Sequence, residues 1–235
     1  MTAQNPKLAG SGIADCAPHG GLCPIGCAEC YYNRPGAWYG GHDAAGNPLP
    51  VVPEPPEVLG KVVRMCSGHD ASIRRKMVIE AVYFCTSEPT AIAKLPGPVD
   101  HMANRREERP ETWTRPRHGE IPVNIMSIRL RVTPARIGDI AEAAAEWAAE
   151  SVPVFLTPMS YWSMKPPTEH TDWYEWKVRH INSYWCATAA FKKAVLDICP
   201  TFGIWWCEGS CKDCNACEAA YWLAKRRLAD RGMEQ

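Results

Sequence analysis

Residues 122–159 leave this chain few folds to choose from. PVNIMSIRLRV (122–132) has the β-branched, alternating pattern of a strand. DIAEAAAEWAAE follows as an alanine-rich helix that buries Ile140, Ala144 and Trp147, with Asp139 placed to cap its start. Ser151 and Pro153 break it, and VPVFLTPM (152–159) reads as the next strand. A strand, a helix and a strand at this separation form a right-handed crossover, which commits the sheet to parallel pairing.

The rest of the chain repeats the theme. Val62–Met65 reads as a short buried strand, and ASIRRKMVIEAVYF as a helix carrying Ile73, Met77, Ala81 and Phe84 at helical spacing. A helix is expected over 177–198, ended by Pro200, then a strand in TFGIWW (201–206) and an amphipathic helix in EAAYWLAKRRLADR with its basic residues late. Residues 1–50 read as Gly/Pro-rich loop, 48–58 as a proline-rich connector, 96–120 as a charged, exposed excursion and 160–176 as an aromatic loop or lid. The class is therefore α/β. A closed eight-stranded barrel takes about 250 residues, and this chain of 235 gives many to loops, so an open, partial β/α barrel of about five or six parallel strands is expected. Its core covers 1–200, and 201–235 forms a cysteine-rich extension. Sites in parallel α/β folds lie at the carboxyl ends of strands, where 67–70, 129–131 and 157–160 would fall.

Cysteine usage points to chemistry. The chain has 12 cysteines, bunched in GLCPIGCAECYY and WCEGSCKDCNACEAAYW. Gaps of two and three residues are ligand spacing, since near neighbours in a disulfide framework rarely pair; a secreted disulfide scaffold is the other reading. The N-terminus lacks a charged start followed by an apolar run, and no apolar run is long enough to span a bilayer, so a cytoplasmic chain with no membrane contact is expected. Net charge is zero and says nothing about an acidic partner. Cys23, Cys27 and Cys30, spaced C-x3-C-x2-C, can hold one cluster and leave an iron without a protein ligand. A zinc site would instead want a fourth ligand from Cys16, His19 or His42.

This spacing resembles the signature of the radical S-adenosylmethionine (radical SAM) superfamily. The resemblance implies a [4Fe-4S] cluster on Cys23, Cys27 and Cys30, SAM on the open iron, reductive cleavage of SAM to a 5′-deoxyadenosyl radical, hydrogen abstraction from a substrate, and an external one-electron reductant of the flavodoxin or ferredoxin type. It also implies a partial barrel. The family usually has an aromatic residue just before the third cysteine; here Glu29 stands there and Tyr31 and Tyr32 follow. Ser67, Gly68 and Asp70 loosely match the motif that receives the SAM amino group, with a helix N-cap as the other role of Asp70. Ser127, Arg129 and Arg131 share one strand face and could meet the SAM ribose and carboxylate; Thr157, with Met159, could contact adenine. The compact layout is similar to small phage-encoded members, which implies a nucleotide, nucleobase or DNA substrate in a host cytoplasm, with a peptide or small metabolite as the alternative.

The second group, Cys207, Cys211, Cys214 and Cys217, resembles a ferredoxin run and implies an auxiliary [4Fe-4S] cluster, with Cys199 and Cys186 as reserve ligands; zinc is the competing occupant. Tyr161, Trp162, Trp173, Tyr174, Trp176, Tyr184 and Trp185 interleave with Lys165, Lys177, Arg179, His170 and His180, a mixture that stacks bases or simply builds a core and lid. His180 and Asn182 are further substrate candidates. The rival functions are a zinc-binding interaction module and a two-cluster electron carrier.

Overall fold

A computed structural model describes residues 5–25, 32, 38–66, 70, 81–103, 121–178, 183–207 and 211–232. Seven parallel strands form a curled, open half-barrel sheet. In chain order these are β1 (Ile13–Cys16), β2 (Val62–Met65), β3 (Val82–Thr86), β4 (Val99–Met102), β5 (Ile125–Val132), β6 (Val154–Pro158) and, after a separate hairpin, β9 (Ile204–Trp206). Their spatial order equals their sequence order, as expected when each connection winds the same way. The hairpin pairs β7 (Tyr174–Lys177) with β8 (Tyr184–Ala187) antiparallel. The helices are α1 (Pro55–Val58), α2 (Pro89–Ile92), α3 (Ile137–Ala149), α4 (Ala189–Leu196), α5 (Cys211–Cys214) and α6 (Ala216–Asp230).

The chain divides into two compact units, one of Met1–Thr114, Gly119–Ser127 and Gly209–Gln235, the other of Arg115–His118 and Ile128–Glu208. Residues 209–235 thus group with the first strands.

In the first unit, register puts Asp15, Arg64 and Tyr83 side by side on one sheet face, and Cys85 beside Asp100. This face is polar yet buried: Asp15 is fully enclosed and ion-paired to Arg64 at 2.6 Å. Helix α6 covers part of it. Its stripe Ala220, Tyr221, Ala224 and Leu228 is buried, Tyr221 meets Tyr83 at 6.4 Å between ring centroids, and Arg227 donates to the Ile125 carbonyl at 2.7 Å. Glu218 lies over Gly12, where a β-carbon would sit 2.3 Å from its carboxylate. The opposite face, with Ala14, Cys16, Val63, Met65 and Val99, is nearly all apolar and buried.

In the second unit, α3 buries Ile140, Ala141, Ala143, Ala144 and Trp147, the helical stripe expected from its sequence. Arg136 occupies its N-cap, and Asp139 sits in the first turn, paired to Arg136 at 3.0 Å, so the expected cap is displaced by one turn of 3-10 helix over Pro134–Arg136.

Several expectations are corrected. β1 lies inside the segment read as loop, because its run Ile13–Cys16 is too short to stand out from its glycines. Ala81 and Phe84 do not continue a helix; Val82–Thr86 is β3, where Tyr83 and Phe84 are buried on opposite faces. β4 lies at the start of the supposed excursion, and its Asp100 and His101 are buried against polar partners. The expected helix over 177–198 is strand β8 followed by α4 from Ala189, with Thr188 accepting from the Phe191 amide as N-cap. Residues 71–80 and 104–120 fall outside the described residues.

Candidate functional site at the carboxyl ends of the first strands

β1 ends at Cys16, and the chain runs directly into the cysteine loop. The loop is tied down by a small core of Ala17, Tyr32, Trp38 and Val51, against which Cys23 and Tyr39 pack. Tyr32 is wholly buried, meets the edge of Trp38 at 4.7 Å and donates to the His19 carbonyl at 3.1 Å. Tyr32 is therefore an anchor and presents no free ring face to an adenine. The Trp38 indole donates to the Leu49 carbonyl at 2.8 Å, and backbone pairing of Ala17 with Val51 closes the base of the loop. Cys23 is half-buried there. Cys27, Cys30 and Tyr31 lie outside the described residues.

Cys66 follows the end of β2. Its amide donates to the Cys16 carbonyl at 2.7 Å, and its φ of 64° is the left-handed conformation that a side chain seldom adopts. Burial, together with the charges of Cys16, Asp70 and Cys23, pushes its thiol up to about 12. Burial and Asp15 push Cys16 to about 12 as well. Both remain protonated at neutral pH while no cation lies beside them.

Asp70 is also buried. It accepts from the Thr86 hydroxyl at 2.6 Å, the Ser87 amide at 2.5 Å and the Ser87 hydroxyl at 2.8 Å. The carboxylate thus satisfies the turn that leaves β3. Ser67, Gly68 and His69 lie outside the described residues. His101 Nδ1 lies 3.0 Å from the Thr86 carbonyl oxygen. Burial holds the His101 pKa below its ordinary 6.5, although Thr86, Asp100 and Asp70 pull the other way. A histidine that is harder to protonate when folded destabilises the fold in acid, since the unfolded chain then binds the extra proton. Stability should therefore fall as pH drops below 6.5, and the fall should shrink in His101→Gln; urea midpoints of both proteins at pH 7.5 and pH 5.5 check this.

On β5, Ser127 donates to Asp100 at 2.8 Å within the first unit. Beyond it, in the second unit, Arg129 and Arg131 share a face with Phe155 and Thr157 of β6. Arg129 donates to the Thr157 hydroxyl at 3.2 Å and to the Cys207 sulfur at 3.5 Å, and lies over the Phe155 ring at 5.3 Å. The structure thus joins Arg129, Thr157 and Cys207, the last at the carboxyl end of β9.

Cys211 and Cys214 are on α5, which packs against the 3-10 turn Pro6–Leu8 ahead of β1, and Cys217 opens α6. Among the described residues, which include all four, no group of three or more His, Cys, Asp or Glu side chains could hold a metal ion.

The aromatic stretch forms the hairpin and its surroundings. Trp176 pairs across strands with Trp185 at 5.3 Å, Trp162 meets Tyr184 at 5.7 Å, and His170 stacks on Trp173 at 3.8 Å. Tyr174 is core, against Phe191. Arg179, His180 and Asn182 lie outside the described residues. Sequence reasoning missed Cys66, Thr86, Ser87 and His101; a carboxyl-end position for each became readable only once β2, β3 and β4 were located. Among the described residues no helix is long and apolar enough to cross a membrane. Comparison with protein-family models, with curated proteins and with solved structures finds no match to this chain, so its chemistry is argued from its own residues.

Proposed function

We propose that this protein is a radical SAM enzyme. One observation carries the reading: the C-x3-C-x2-C triple begins in the loop leaving the carboxyl end of β1, the edge strand of a parallel half-barrel. That end is where parallel α/β folds place their sites. Cys23, Cys27 and Cys30 would hold a [4Fe-4S] cluster, and their thiolate softness suits iron–sulfur ligation. When cluster and SAM are bound, they supply a 5′-deoxyadenosyl radical, formed at the cost of one electron from a flavodoxin- or ferredoxin-type donor, that removes a hydrogen atom from the substrate.

The chain's own residues supply position and shielding. Tyr32 and Trp38 fix the loop against the sheet, so that Cys23 leaves a rigid base. The buried thiols of Cys16 and Cys66 and the apolar face below keep water out. Within the second unit, Arg129 and Thr157 offer cationic and hydroxyl donors of the kind that a carboxylate and a ribose accept. A nucleotide or nucleobase substrate is favoured by the half-exposed Trp162–Tyr184 and Trp176–Trp185 pairs, whose π-faces can stack a base.

The test is anaerobic. The protein is reconstituted with iron and sulfide, reduced, mixed with SAM, and the products are read by mass spectrometry beside Cys27→Ala. 5′-Deoxyadenosine above the no-enzyme background, lost in Cys27→Ala, is the expected result. A brown, fully loaded protein that neither binds nor cleaves SAM would make it an electron carrier; a colourless, zinc-loaded one would make it a binding module.

A further inference from the structure

Cys211 and Cys214 stand one turn apart on α5. Asn215, at φ 51°, breaks the helix before Cys217, so the third cysteine leaves that row. Residues three apart on a helix bring their β-carbons to about 5–6 Å, and a disulfide needs about 3.5–4.5 Å, a gap that a small tightening of one short turn closes. Access is open: Cys214 is exposed and Cys211 half-exposed.

We infer that Cys211 and Cys214 form a redox-active dithiol that exchanges with a disulfide of the glutathione class. The thiolate of exposed Cys214 attacks one sulfur of the incoming disulfide and releases the first partner thiol, leaving a mixed disulfide. The Cys211 thiolate then attacks the Cys214 sulfur, forms the Cys211–Cys214 bond and releases the second partner thiol. The pair gives up two electrons and two protons, and the disulfide is reduced to two thiols. The exchange acts on a docked turn, since α5 rests on Pro6–Leu8 and the Lys212 side chain lies over Gly10. It is independent of the chemistry proposed for Cys23, Cys27 and Cys30.

The full chain is equilibrated anaerobically over a series of reduced-to-oxidised glutathione ratios, quenched in acid, alkylated and digested with trypsin. Cleavage after Lys212 separates the two cysteines, so their bond appears as two joined peptides that part on reduction. The joined pair should form at the oxidised end and vanish at the reduced end. It should persist in Cys217→Ser and Cys207→Ser and be lost in both Cys211→Ser and Cys214→Ser, with unchanged circular dichroism. Cys211→Ser should trap glutathione on Cys214. A joined pair that survives Cys214→Ser would overturn the assignment, as would thiols that alkylate fully at every ratio. So would reconstituted protein whose iron content drops by about four per chain in Cys211→Ser, the signature of an auxiliary [4Fe-4S] cluster.

Discussion

Asp15→Ala should remove about 3–5 kcal/mol of folding stability, the cost of leaving a buried partner charge uncompensated. Asp15 is fully enclosed, and the Arg64 side chain is only 18 % exposed. Its carboxylate accepts from Arg64 at 2.6 and 3.0 Å, from Asn5 at 2.9 Å and from Tyr39 at 2.9 Å. It therefore ties β1 to β2 and to the cysteine loop through Tyr39. Loss of that size is a large part of the roughly 5–15 kcal/mol that holds a typical domain together. Replacing both partners by apolar residues, Asp15→Leu with Arg64→Met, should cost clearly less, because no charge is stranded. Urea midpoints at pH 7 decide the matter, and equal losses in the single and double variants would show that the pair's charge is irrelevant. The pH dependence has a definite sign. Burial raises the Asp15 pKa, but Arg64, Asn5 and Tyr39 outweigh it and hold the group below its ordinary 3.8. The folded state is therefore favoured above 3.8, and this contribution disappears as pH falls through the lower folded value.

Tyr32→Ala should cost about 3–5 kcal/mol, the usual range for emptying a buried aromatic site, and should also lower the iron retained after reconstitution. The two effects share a cause. Tyr32 stands just beyond Cys30 in sequence and is wholly buried among Ala17, Trp38 and Val51, with which Cys23 also packs. Removing the ring releases the far end of the loop from the base that holds its near end. Tyr32→Phe keeps the ring and loses only the hydrogen bond to the His19 carbonyl, worth about 0.5–1.5 kcal/mol; its iron content should match wild type. Iron per chain in the two variants separates an anchor from a ligand contact. If Tyr32→Ala melts like wild type and keeps its iron, the loop is held by something other than this core.

The legible parts of the fold were those whose signal is local. The β5–α3–β6 unit could be read directly, because an eight-residue strand and a thirteen-residue helix repeat their periods often enough to be recognised. β1 and β4 are four residues long, no more than two full alternations, and a charged residue on a buried face hides what remains. Asp15 and Asp100 are such residues. Each looks like surface until the neighbour that satisfies it is known, Arg64 for one and Ser127 for the other. The hairpin strand β8 was lost inside a supposed helix because Tyr184, Trp185 and Cys186 suit either state, and cross-strand pairing with Glu175, Trp176 and Lys177 selects the strand.

By itself the sequence determined the α/β class, the parallel sheet and the spacing of the cysteines, since each is a matter of period or of residues close along the chain. Only the tertiary structure decided that the cysteine loop leaves the end of an edge strand, that Tyr32 is its anchor, that Asp70 serves the β3 turn, that Cys207 meets Arg129 and that Cys211 and Cys214 share a turn. Each of these depends on which distant groups a buried side chain finds to satisfy its hydrogen bonds and charge, and burial itself is a property of the packed chain, not of any segment in it.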